Sequence, residues 1–154
     1  MNRMKKNGFT LIELIVVIAI LGILATIGLT SFQTSQMKSR DAKRKSDLEQ
    51  VQRALEAYMN DYGNYPAANA GEINRFSWGG EMKDAKDTLY MKELPKDSRG
   101  DPEYCYLTAA AAPYTYYKLY AKLENSQDPK ATLDVTCNGV THYNYGVSSS
   151  NTSP

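Results

Sequence analysis

Histidine and tryptophan occur once each in these 154 residues, and cysteine only twice. Two cysteines cannot build a disulfide-dense mini-protein, and with one histidine they give no zinc-site spacing. Net charge is nearly absent too. The 18 Lys and Arg against 17 Asp and Glu leave +1, so no global charge argues for a nucleic-acid partner. The length allows one domain with an appendage and excludes a two-domain enzyme. Nucleophile elbow, phosphate-binding glycine loop and metalloprotease helix are all missing. No catalytic constellation is expected, and His142 reads as an ordinary strand or turn residue.

What is present is unevenly placed. The hydrophobic fraction, 42%, is an ordinary soluble average. Yet six of the seven Ile lie between Phe9 and Phe32, and all twelve Tyr lie after Phe32. That window holds 17 apolar residues in 24 and one charge, Glu13, whereas 46 of the 122 residues after it are apolar. The split excludes a multi-span membrane protein and a disordered chain. A helix of 24 residues rises about 36 Å, enough for a hydrocarbon core of ~30 Å.

Before the window stand Arg3, Lys5 and Lys6 without an acid. A basic start before an apolar run fits a secretory signal peptide, but the run is too long and no small-x-small site follows it. The small residue, Gly8, precedes the run instead, so cleavage there would keep the apolar segment. Glu13 is then informative. A carboxylate at the centre of a spanning helix costs about 2.5–3.5 kcal/mol and usually has a partner. Cleavage after Gly8 would free an amine on Phe9, one helical turn from Glu13. A signal anchor with Glu13 at the headgroup level is the plainer alternative.

The string Lys6-Asn7-Gly8-Phe9-Thr10-Leu11-Ile12-Glu13-Leu14 resembles the processing site of type IV pilins and type II secretion pseudopilins. The resemblance implies a prepilin peptidase that cuts after Gly8 and N-methylates Phe9. It implies a cytoplasmic leader, a head outside the cytoplasm, and a subunit that leaves the bilayer for a helical filament. There Glu13, unsatisfied in lipid, would neutralise the amine of a neighbouring Phe9. Many relatives have Pro where this chain has Thr30. Gly22 and Gly28 each weaken the helix by roughly 1 kcal/mol relative to Ala, and Thr30 can bend it by bonding back to a carbonyl. Local unwinding around Gly22–Thr30 is therefore the expected flexibility.

Beyond the span come Lys38, Arg40, Lys43, Arg44 and Lys45 with one acid, Asp41. The positive-inside rule alone would favour the opposite orientation; the peptidase motif overrides it. Three readings of this run stay open: a solvated helix face, contact with acidic lipid head groups, and pairing between subunits. Residues Gln33–Tyr62 contain no Pro or Gly, and Leu48, Val51, Leu55, Tyr58 and Tyr62 make one helical stripe. Gly63 and Pro66 then stop the helix. This helix end also resembles the pilins, closest to the major pseudopilin type.

In the head, Ala67–Gly80 reads as a loop and Glu81–Lys92 as a short helix. Tyr104–Thr108, Tyr114–Glu124, Thr132–Cys137 and His142–Val147 read as strands of an antiparallel sheet, with Asn138-Gly139 as a turn. The tyrosines read as sheet filling, with stacking platforms for a ligand as the alternative. Cys105 and Cys137 are the candidate disulfide, with two buried thiols as the alternative. The resemblance also suggests calcium in the head. Asp97 and Asp101, beside Glu103, are the candidate ligands, and a solvated turn is the rival reading. No other cofactor is expected.

The expected organisation is a leader (1–8), a transmembrane or filament-core helix (9–32), an amphipathic helix (33–62), a head (63–147) and a loose tail (148–154). The fold class is α+β, a long N-terminal helix packed on a small antiparallel sheet, the pilin fold. The expected function is structural, a major pilin or pseudopilin. The expected partners are prepilin peptidase, an inner-membrane assembly platform and other copies in a filament, with membrane before assembly and no nucleic acid. The alternatives are a membrane-anchored extracytoplasmic binding module and a minor or DNA-uptake pilin.

Overall fold

Pro-free and with two glycines, residues Leu11–Tyr62 form one unbroken α-helix, α1, in the computed structural model, which describes residues 9–99 and 103–154. The chain divides into two compact units, Met1–Met37 and Lys38–Pro154. In the first, every residue from Phe9 to Gln36 is exposed. In the second, the stripe read from the sequence turns inward: Leu48, Val51 and Leu55 are fully buried. Burying each such side chain contributes roughly 1.5–3 kcal/mol. Gly63 ends the helix with φ 70°, and its N–H donates to Met59 O at 2.8 Å. That left-handed position is why a glycine stands there.

Nine short strands follow: β1 (Ala68–Asn69), β2 (Glu72–Ile73), β3 (Met82–Lys83), β4 (Leu89–Met91), β5 (Cys105–Thr108), β6 (Tyr117–Ala121), β7 (Val135–Cys137), β8 (Val140–Tyr143) and β9 (Tyr145–Ser148). β5-β6-β9 make the antiparallel main sheet; β1-β2, β3-β4 and β7-β8 are separate hairpins. The pilin-like α+β architecture is therefore present, with differences in detail.

Ala67–Gly80 is not all loop, because Ala70 and Gly71 both take positive φ (49° and 85°) and fold β1 onto β2. Two-residue strands are too short to leave a period in the sequence. Glu81–Lys92 is a hairpin rather than a helix. Asp84 closes it by accepting the N–H groups of Lys86 and Thr88, both at 2.8 Å. The expected strand His142–Val147 breaks at Asn144. The Asn144 side chain accepts from Leu123 N–H at 2.7 Å and donates to Leu123 O at 3.0 Å, pinning a bend between β8 and β9. The Asn138-Gly139 turn joins β7 to β8 with φ 49° and 76°.

Both faces of β6 are covered. Tyr117, Leu119 and Ala121 meet the core under α1, while Tyr120 meets Cys105, Cys137 and Tyr143 on the other side. Seven of the twelve tyrosines are buried, so they fill the sheet faces. The tail is pinned rather than loose. Ser149 N–H donates to Tyr117 O, Ser148 Oγ donates to Thr152 O, and Asn151 donates to Thr115 O. A Cβ on Gly146 would lie 2.7 Å from the Tyr120 ring and 3.0 Å from Pro154, so β9 needs glycine at that point.

Cys105 and Cys137 form the disulfide, joining β5 to the β7-β8 hairpin across 32 positions. On the loop-entropy model such a bridge contributes about 3–4 kcal/mol. The double variant Cys105→Ser, Cys137→Ser should lower the urea midpoint accordingly. An unchanged midpoint would mean that the packing of Tyr120 and Tyr143 holds the hairpin without the bridge.

Candidate functional site

Phe9 stands just before α1, and Thr10 and Glu13 open it. The Thr10 N–H and hydroxyl donate to Glu13 Oε2 at 2.8 and 2.6 Å, and the Glu13 N–H donates to Thr10 Oγ1 at 3.3 Å. This is a capping box, in which the side chains of the cap and third helical residues satisfy each other's backbone N–H groups. Its signal, Thr-x-x-Glu, is complete in the sequence at Thr10 and Glu13. The carboxylate is thus already paired within its own chain, which corrects the expectation of an unsatisfied Glu13. Hydrogen bonds to a charged group contribute about 1.5–3 kcal/mol each, comparable with the insertion cost of the acid. Both bonds fall on Oε2. Oε1 has no partner among the described residues, and Glu13 borders a hollow shared with Phe9, Ile12, Val16 and Val17.

Gly8 lies outside the described residues. Gly22 and Gly28 sit inside the unbroken helix with open space around them. Thr26 donates to Ile23 O, and Thr30 donates to Ile27 O and Thr26 O, so the hydroxyls of this stretch are engaged along the helix.

A second constellation was not legible. Arg44, 5% exposed, lies among three carboxylates: Asp41 at 2.8 Å, Asp97 at 2.5 Å and Glu124 at 2.8 Å. Asp41 also accepts the backbone N–H groups of Glu124 and Asn125. Arg40 holds Glu124 at 2.6 Å and Lys45 holds Asp128 at 2.5 Å. Three of the five cations of this run, Arg40, Arg44 and Lys45, are therefore engaged within the head. Asp97 receives Arg44 on both oxygens and the Arg99 N–H on Oδ1. A calcium ion wants six to eight oxygens, and at Asp97 it would have to displace a guanidinium. Among the described residues no group of three His, Cys, Asp or Glu could hold a metal, and Asp101 lies outside them.

The Arg40 hydrogen bonds, with Arg44 beside them, hold the Glu124 carboxyl at about 2, well below its ordinary value. The Tyr62 hydroxyl holds Asp84 at about 2 in the same way, and Lys45 lowers Asp128. Folded values below the unfolded ones give stability that is present above about pH 4.5 and lost as pH falls through the folded values. The melting temperature of the head should therefore fall between pH ~4.5 and ~2. Glu124→Gln should flatten that slope, read by circular dichroism at each pH. A head equally stable throughout would remove these pairs from the account.

Comparisons place these features. Residues 3–29 match the model of the prokaryotic N-terminal methylation motif, and residues 32–135 match that of type II secretion system protein G. The chain is similar to the type II secretion system core protein G of Aeromonas hydrophila, 34% identical over 66% of this chain and 73% of that one. The protein of the same description from Pseudomonas aeruginosa is 30% identical over 79% of this chain and 87% of that one. That from Vibrio cholerae is 33% identical over 70% and 75%. No solved structure matches. A processing motif on an exposed apolar helix, followed by a pilin-like head, defines a pseudopilin. The chain belongs to the type II secretion system protein G family.

Proposed function

We propose that this chain is the structural subunit of a secretion pseudopilus. It is made as a precursor, cut after Gly8 by a prepilin peptidase and N-methylated on Phe9. The apolar half of α1 then holds it in the inner membrane with the head outside the cytoplasm, until an assembly platform adds it to a helical filament. One observation carries this reading: an apolar helical surface from Phe9 to Phe32 that no other described residue covers. Lipid covers it first and copies of the same segment cover it later. Glu13 Oε1 is the acceptor left for a neighbour's Phe9 amine, while Thr10 keeps Oε2. The methylation-motif match over residues 3–29 supports the processing step.

The test is mass spectrometry on filaments imaged after purification. Subunits should begin at N-methylated Phe9, and Gly8→Ala should leave the leader attached. Filaments built from the intact precursor would overturn the processing step. A monomer that keeps Met1 and forms no filament would favour a membrane-anchored binding module.

A further inference from the structure

Between Glu13 and Lys38 the sequence has no charge. Arg40, Arg44 and Lys45 hold carboxylates of the head, whereas Lys38 and Lys43 are exposed and hold none among the described residues. Lys38 borders a hollow of about 410 Å³ between α1 and the loop at residues 125–129. Asn125 and Gln127 line it as well. Asn125 Oδ1 accepts the Gln127 N–H at 3.1 Å, so the end of its side chain left over is the amide N–H pair. The Gln127 side-chain amide has no partner among the described residues. The carboxylates on the wall are already answered: Asp41 by Arg44 and two backbone N–H groups, Asp128 by Lys45 and the Lys130 N–H. The hollow therefore presents hydrogen-bond donors and one uncompensated ammonium.

We propose that this hollow binds the phosphate of an anionic phospholipid headgroup, with Lys38 as its cation and Asn125 and Gln127 as its donors. The proposal rests on the membrane residence argued above, and it deepens that reading by naming what the head touches before assembly. Lipid is favoured over free phosphate by position. Lys38 comes six residues after Phe32, a rise of about 9 Å in a helix, near the layer that flanks a ~30 Å hydrocarbon core. Its long stem can reach back toward the interface. Lys43, five positions on, lies on another side of α1 and does not border the hollow.

The test uses the full chain in nanodiscs of phosphatidylcholine mixed equally with phosphatidylglycerol. Native mass spectrometry counts the lipid retained. The unaltered chain should keep phosphatidylglycerol over phosphatidylcholine by about five-fold, the effect of one lysine near an anionic surface. Lys38→Gln should lose that preference and Lys43→Gln should keep it. Hydrogen exchange at residues 125–127 should slow with phosphatidylglycerol only when Lys38 is present. Equal retention of the two lipids, or an unchanged preference in Lys38→Gln, overturns the proposal. Millimolar inorganic phosphate that protects residues 125–127 as strongly in detergent overturns the lipid assignment. A chain that never enters the discs overturns the membrane reading itself, whereas one that enters without preference overturns only the lipid site.

Discussion

Glu13→Ala should abolish filament assembly and leave the head folded. Removing the carboxylate takes away the acceptor for a neighbour's amine at every addition step. A hydrogen bond to a charged group contributes about 1.5–3 kcal/mol, so each step should weaken by more than ten-fold. The capping box makes a sharper version available. Glu13→Gln keeps an amide that can still accept the Thr10 N–H, because glutamine serves as well as glutamate at this helical position. It removes the charge and turns the remaining Oε1 acceptor into an N–H donor. If charge neutralisation drives assembly, Glu13→Gln should fail nearly as badly as Glu13→Ala. Normal filaments from Glu13→Gln, counted by electron microscopy, would assign the residue to helix capping instead. Circular dichroism of both variants should show an unchanged head, since residues 38–154 form a compact unit of their own.

Arg44→Met should be the most damaging single change in the head. It would take the shared guanidinium away from Asp41, Asp97 and Glu124, while Glu124 would keep Arg40 at 2.6 Å and Arg99 at 3.7 Å. Breaking a buried pair by removing one partner typically costs 3–5 kcal/mol, because an uncompensated charge stays behind. An exposed pair such as Lys83–Asp87 should cost at most about 1 kcal/mol. Urea unfolding of Arg44→Met and Lys83→Met should separate the two cases. Equal losses would mean that water reaches the Arg44 cluster freely.

Much of the architecture could be read from single segments. The stripe Leu48, Val51, Leu55 repeats at helical spacing, and its burial follows from the period. The helix stop at Tyr62 is marked by Gly63, and β6 lies inside the expected strand Tyr114–Glu124. What escaped was set by contacts between distant segments. β1 to β4 are two or three residues long and carry no period. The bend at Asn144 depends on Leu123, 21 positions away. The Arg44 cluster gathers residues from positions 41, 44, 97 and 124. Charged residues are seldom buried, so a basic run reads by default as a solvated face. The capping box differs, because its signal is local and complete within Thr10 to Glu13.

The Arg44 cluster also bears on the order in which this chain is made. Its cations lie early in the sequence and its carboxylates at Asp97 and Glu124 lie 53 and 80 residues later. During synthesis the cations beside the apolar segment have only Asp41 within their own run, and by the positive-inside rule they oppose the orientation proposed above. Once the later strands arrive and fold, the same guanidinium is enclosed by three carboxylates. Drawing it back across the bilayer would then require unfolding the head. In the orientation proposed above, folding of the head would act as a latch on topology, holding by tertiary structure what flanking charge alone does not favour.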